Sequence, residues 1–201
     1  MASRSYNSLI RKDAEAETLR RIVAATVQLH AEKGAMATTH AEIAERAGVS
    51  IPTVYKHFPT RNDLMPACIG EVAKDAPDID PAVILAAPDF DARLSLLVEI
   101  VYARYRYLHP WYRWSPADAP FLPELAETID HAGKQLESLA RAVLKDRFRG
   151  RIPAAVLALT LVLLDYHTWQ RLDQSLGKDK AVNRAAIHAL QRILSPSIES
   201  E

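Results

Sequence analysis

The 201-residue chain has one cysteine, Cys68, only six glycines, and no net charge, with 25 basic residues balancing 25 acidic ones. A single cysteine excludes an internal disulfide and any thiolate cluster for a metal, and it fits a reducing compartment. Few glycines leave little material for tight catalytic loops. No GxSxG elbow, no phosphate-binding glycine loop and no HExxH pair occurs, and the seven histidines are scattered, so the usual supports for acyl transfer, nucleotide hydrolysis and zinc proteolysis are missing. The chain does not read as an enzyme, and neither a cofactor nor a metal is expected. The longest apolar run, Ile152 to Leu164, is interrupted by Thr160 and is too short to cross a bilayer. The opening stretch MASRSYNSLIRKDAEAE lacks the apolar centre of a signal peptide. A cytoplasmic protein with no membrane partner is expected.

What is present is apolar residue in quantity, 49 % of the chain, ample for a buried core. Nothing in the overall charge announces a polyanion partner. Residues 1–64 carry 9 basic and 7 acidic side chains, an asymmetry too small to weigh heavily.

One segment dictates a function through residue type and spacing together. It is THAEIAERAGVSIPTVYKHF, from Thr39 to Phe58. Thr39 followed three residues later by Glu42 is a capping box that starts a helix. Ile43, Ala44 and Ala47 give that helix a buried side small enough for another helix to cross closely. Gly48 sits where the chain reverses and positive φ is favoured. Ser50 caps a second helix, and Pro52 suits its first turn, where the missing N–H costs nothing. Val54 and Phe58 point inward at i and i+4. Ile51, Thr53, Tyr55, Lys56 and His57 are left for the outer face and its edges, where hydroxyl, phenol, ammonium and imidazole groups reach phosphates and base edges. The candidate DNA contacts are Thr39, Ser50, Pro52, Thr53, Tyr55, Lys56, His57 and Arg61. Two short helices of an ordinary helical domain fit each feature singly; the joint pattern is rarer.

From about Glu17 to Ala73 the chain resembles the DNA-binding domain of the tetracycline-repressor (TetR) family of bacterial transcription regulators. The resemblance rests on Leu19, Ile22, Val23, Thr26 and Leu29 of a first helix, then Gly34, Thr38-Thr39, Ile43-Ala44 and Ala47-Gly48-Val49-Ser50. It continues through Thr53, Tyr55, His57-Phe58, Arg61 and Leu64. Ile51 departs from it, standing where relatives often carry a polar residue. The resemblance implies a regulator, by family habit a repressor, that binds a palindromic double-stranded operator as a homodimer and is released by a small aromatic or hydrophobic effector in its second domain. The implied fold is all-α: an arm over 1–16, a three-helix domain over 17–74 with the helix-turn-helix at 39–58, and a larger helical effector-binding and dimerisation domain over 75–201.

The rest of the chain is helical by pattern. Thr60 and Asp63 repeat the cap-and-acid spacing before a helix through Leu64, Cys68, Ile69 and Val72. KDAPDIDPAVILAAP, from Lys74 to Pro88, holds three prolines and reads as a joint, with at most one helical turn at Ala82 to Ala86. Its aspartates lack the glycine and terminal glutamate of a calcium loop. A helix from Asp89 carries Leu94, Leu97-Val98, Val101-Tyr102, Tyr105 and Leu108 and is expected to stop at His109-Pro110. Leu122 to Arg149 reads as another, with Gly150 as its stop. A long helix is expected from Pro153 to about Leu176, followed after Gly177 by a last one through Leu194.

Two features of this half bear on function. AAVLALTLVLL is apolar all round, as suits a helix between its own core and a second subunit; with the last helix it makes a four-helix dimer seam. A central helix of a monomeric core shows the same periodicity. Second, 7 of the 14 aromatic residues fall between Tyr102 and Phe121. Tyr102, Tyr105, Trp111, Trp114 and Phe121, with Tyr166 and Trp169, form the candidate effector pocket, oriented by Arg106, His109, Arg113, Asp165 or His167. The same stripe is also what an aromatic core looks like. A helical ligand-binding protein with an incidental helix-turn-helix, and an architectural DNA-binding protein without an effector, are the competing readings.

Overall fold

The structure is a computed structural model; it describes the backbone of residues 2–149 and 151–195, and side chains from Arg11 onward. Among the described residues there are helices and no strand: α1 (Ala2–Lys33), α2 (His40–Ala47), α3 (Ile51–His57), α4 (Arg61–Ala73), α5 (Pro81–Leu85), α6 (Phe90–Tyr112), α7 (Ser115–Asp118), a 3-10 turn (Ala119–Phe121), α8 (Pro123–Lys145), α9 (Ala154–Leu163), α10 (Tyr166–Leu176) and α11 (Asp179–Ile193). The chain divides into two compact units. One is Met1–Ala76 with Leu108–Ile129, the other Pro77–Tyr107 with Asp130–Glu201.

The first unit is built around α1. Ile22, Ala25 and Leu29 face Ile43, Ala44 and Ala47 of α2, Val54 of α3, and Leu64 and Cys68 of α4 in one buried cluster. Each large aliphatic chain in it contributes about 1.5–3 kcal/mol by leaving water. The Cys68 thiol is pushed up to about 12, chiefly by burial, so it behaves as a small hydrophobe. The helix expected to begin near Glu17 reaches back to Ala2, so residues 2–16 of the expected arm belong to α1. No proline or glycine interrupts those residues, and nothing local stops the helix.

The segment Leu108–Ile129 joins this unit through polar ties to the end of α1. Trp111 Nε1 donates to the Val27 carbonyl at 2.9 Å, and Trp114 Nε1 and Arg113 Nη2 both donate to the Ala31 carbonyl, at 3.2 and 2.8 Å. Buried Asp118 accepts from the backbone N–H of Ala35 at 2.6 Å and of Met36 at 3.2 Å. Gly34, at φ 86°, turns the chain between these groups: a Cβ there would lie 2.9 Å from Asp118 Oδ2 and 3.2 Å from Trp114. The same ties explain why α6 does not stop at His109 as expected. Pro110 lies inside it; the ring removes one helical bond, and Trp111 fastens the following turn to α1.

The second unit buries Leu94, Leu97, Val98 and Val101 of α6, Leu139, Val143 and Leu144 of α8, and Val182, Ala186 and Leu190 of α11. α8 ends at Lys145 rather than Arg149; the expected stop at Gly150 lies outside the described residues. The single helix expected from Pro153 to Leu176 is two. α9 closes at Leu163, and Asp165, extended at ψ 147°, caps α10 by accepting from His167 N–H at 2.8 Å. Breaking a helix orphans carbonyls, and here two tyrosines meet them. Tyr102 Oη donates to the Leu163 carbonyl at 2.5 Å, and Tyr105 Oη to that of Leu164 at 2.9 Å. An apolar run gives no sign of such a break, since the groups that stabilise it come from α6.

Candidate nucleic-acid interface

The helix-turn-helix geometry follows from its caps. Thr39 Oγ1 accepts from Glu42 N–H at 3.3 Å while the Glu42 carboxylate accepts from Thr39 N–H at 3.0 Å. Lys33 and Thr39 together pull the Glu42 carboxyl down to about 2, the hydrogen bond from Lys33 being the largest cause, so the box stays ionised. Gly48, at φ 63° and ψ 40°, is the left-handed residue that ends α2, a conformation an L side chain resists. Ser50 then caps α3, accepting from Thr53 N–H at 3.3 Å and sharing a 2.7 Å hydrogen bond with the Thr53 hydroxyl. Both Thr39 and Ser50 thus spend their hydroxyls on their own helix starts.

α3 is pinned by Val54, which is fully buried, so its opposite side faces solvent. Ile51, Pro52, Tyr55 and Lys56 are exposed there; Thr53 and His57 are half-buried at the edges. Tyr55, 51 % exposed, does not swing freely. Its ring lies parallel to His40, the first residue of α2, with centroids 4.3 Å apart and planes 5° from parallel, and His40 Nε2 is 2.9 Å from the Phe58 carbonyl. Lys56 Nζ is 3.6 Å from Glu15 of α1, both side chains being at least half exposed. Such a pair is worth about 0–1 kcal/mol and yields readily to a stronger anion. Arg61, exposed at the start of α4, gives Nε to the Thr38 carbonyl at 3.1 Å. The structure therefore gathers Pro52, Tyr55, Lys56 and the edges of Thr53 and His57 on one short helix, with Thr39 and Arg61 on its neighbours. His40, which the sequence reading left out, supports Tyr55; no spacing rule links positions 40 and 55.

Of the seven aromatics read as an effector pocket, four lie in the second unit and three in the first. Tyr102, Tyr105, Tyr166 and Trp169 cluster in the second unit, Tyr105 lying 5.7 Å from Tyr166 and 6.2 Å from Trp169, and Tyr166 5.7 Å from Trp169 between centroids. Tyr102, Tyr166 and Trp169 are buried, and desolvation, helped by the Asp165 charge, raises the Tyr102 phenol well above its ordinary range. Trp111 and Trp114 belong to the first unit, where they hold α1, and Phe121 is 68 % exposed on the 3-10 turn. Three of the five polar groups expected to orient a ligand have partners within the protein: Arg106 with Asp179 and Asn183 of α11, Arg113 with α1 and the Trp114 ring, Asp165 as a cap. The second unit also holds a groove of 430 Å³ between the Asp78–Pro81 segment, Arg104 of α6 and one face of α8.

Among the described residues no helix is long and apolar enough to cross a membrane, and no group of three or more His, Cys, Asp or Glu is placed to hold a metal ion.

The profile of the bacterial regulatory proteins of the tetR family matches residues 22–68, which span α1 through most of α4. The HTH-type transcriptional regulator LuxR of Vibrio harveyi is 31 % identical over 96 residues, 44 % of this chain. The match spans 45 % of that regulator's length, less than half of the relative. Among solved structures, a TetR transcription regulator from Haloarcula marismortui superposes with a TM-score of 0.62 at 16 % identity, covering 89 % of this chain and 97 % of that one. NalD, the secondary repressor of the MexAB-OprM multidrug efflux pump in Pseudomonas aeruginosa, superposes with a TM-score of 0.58 at 20 % identity, covering 89 % and 96 %. At such identities these two likenesses describe fold alone.

Proposed function

We propose that this chain is a member of the tetR family of bacterial regulatory proteins, whose profile matches residues 22–68, and that it is a cytoplasmic transcriptional regulator and not an enzyme, binding a palindromic operator as a homodimer. The observation that carries the reading is α3: buried only through Val54, it offers Tyr55 and Lys56 outward on a helix seven residues long, held at both ends by caps. A rigid helix of that size fits the major groove, and one such helix reads few base pairs. Two of them held about one turn of duplex apart, roughly 34 Å, double the contacts and demand an inverted repeat.

The dimer is assigned to the last two helical segments, α9–α10 and α11. α9 supports this: Leu159 and Val162 are 46 % and 56 % exposed, with Ala155 and Ala158 exposed on the same side. Repression, relieved by an effector in the second unit, is the regulatory sense we assign. An effector acts only as far as it prefers the conformation that does not fit DNA.

Selection of the purified chain on random duplexes tests the reading. An inverted repeat with half-site centres near one helical turn is expected. No enrichment, or a single unrepeated element, contradicts it.

A further inference from the structure

We propose that the groove beside Arg104 is the effector site and that it takes a singly charged amphipathic carboxylate, the acid on Arg104 and the apolar part against α8. The inference rests on the effector-relieved regulation proposed above and names the ligand's place and class.

The three arginines of α6 differ in their partners. Arg93 pairs with Asp146, and Arg106 with Asp179. Arg104, half-buried between them in sequence, has no carboxylate partner among the described residues. Its Nη1 donates to the Pro77 carbonyl at 2.8 Å, which anchors the guanidinium to the segment entering α5 and leaves Nε and Nη2 to another acceptor. A partly desolvated guanidinium with a free fork is complementary to a planar carboxylate, which it binds through two parallel hydrogen bonds.

The rest of the groove sets the ligand's body. Ile79, Pro81, Leu136, Leu139 and Ala142 give apolar walls, and Gln135 and Ser138 add neutral polar groups from α8. Asp78 is the other charge in the lining and is not ion-paired with Arg104. With Arg104 the one cation in the lining, a single acid group finds a partner there and a second one finds none, which favours a monoanion. In the aromatic cluster the Tyr102 and Tyr105 hydroxyls are committed to the α9–α10 break.

Decanoate, decan-1-ol and decanedioate are the probes, titrated into the full chain with melting temperature and operator affinity read in parallel. Decanoate is expected to raise the melting temperature and weaken operator binding, and the alcohol and the diacid to act at least ten-fold more weakly. Arg104→Gln should weaken the decanoate response at least ten-fold and Arg104→Lys should retain part of it. Ala132→Trp, at an exposed position in the groove wall, should block the response without touching Arg104. No stabilisation by decanoate, equal response to alcohol and acid, or an undiminished response in both Arg104→Gln and Ala132→Trp overturns the site. Stabilisation that depends on Arg104 with unchanged operator affinity leaves the site standing and refutes the regulatory role. Operator release by decanoate that persists in both variants does the reverse.

Discussion

The His40 ring is stacked on Tyr55 at 4.3 Å, so the first residue of α2 fixes the direction of a long polar side chain on the exposed face of α3. His40 itself is buried and tied to the Phe58 carbonyl. A stacked aromatic pair is worth about 0.5–1.5 kcal/mol beyond its buried area. If Tyr55 must be held for DNA binding, His40→Ala should weaken operator affinity by roughly 2- to 13-fold. His40→Phe, which keeps the stack and loses the polar tie, should recover much of it. Wild-type affinity in a correctly folded His40→Ala protein, measured by fluorescence anisotropy, contradicts the positioning role.

The tyrosines at the α9–α10 break carry a stability prediction. Tyr102→Phe leaves the Leu163 carbonyl without its donor in a buried place, a loss of about 1–3 kcal/mol. Tyr105→Phe, at a half-buried ring, should cost less. Denaturant unfolding followed by tryptophan fluorescence checks both; equal stability of Tyr102→Phe and wild type would show that the break needs no donor from α6.

Much of the first unit could be read from the sequence, and the reason is that its devices are local. The Thr39–Glu42 and Thr60–Asp63 boxes, the Ser50 cap and the left-handed Gly48 each act within five residues, and all stand where the pattern put them. The parts that escaped depend on partners far along the chain. Asp118 reaches Ala35 across 83 positions, and Trp111 reaches Val27 across 84; no local pattern says that half of an aromatic stripe serves one unit and half the other. The break at Leu164 escaped for the same cause, since the residues that make it tolerable lie 59 and 61 positions away. Arg104 was indistinguishable from Arg106 until their partners could be compared.

The dimer seam is tested on exposed positions, where folding of one chain is little disturbed. Leu159→Glu and Val162→Glu each place a carboxylate on the apolar face of α9. Burying it unpaired in an interface costs several kcal/mol, and leaving it in water costs almost nothing. Folded monomers with lost operator binding are expected from light scattering and anisotropy. An intact dimer in both variants assigns the seam elsewhere.

Acid should loosen the first unit before it reaches the carboxylates. Burial pushes the His30 imidazole down from 6.5 to about 4, against a smaller opposing pull from Asp118. The unfolded chain therefore binds a proton at His30 between pH 6.5 and 4 that the folded chain refuses, and stability falls with acidification through that window. The slope is about 1.4 kcal/mol per pH unit, so about 2 kcal/mol is lost between pH 6.5 and 5. Above pH 6.5 His30 contributes no slope. His30→Gln should flatten the profile between pH 6.5 and 5; an unchanged profile would show that the imidazole is not the group responsible.

The central claim, that the outer face of α3 binds operator DNA, is tested most directly by the salt dependence of affinity for the selected inverted repeat, compared between wild type and Tyr55→Ala/Lys56→Ala. Two chains per duplex, an affinity that falls steeply as salt rises, and weaker binding by the double variant are expected. If Lys56 meets a phosphate, the salt slope should drop by about one unit; if it reads a base, the loss should be about 1–3 kcal/mol at one base pair. Equal affinity and equal slope in the two proteins, both folded and dimeric, would contradict it.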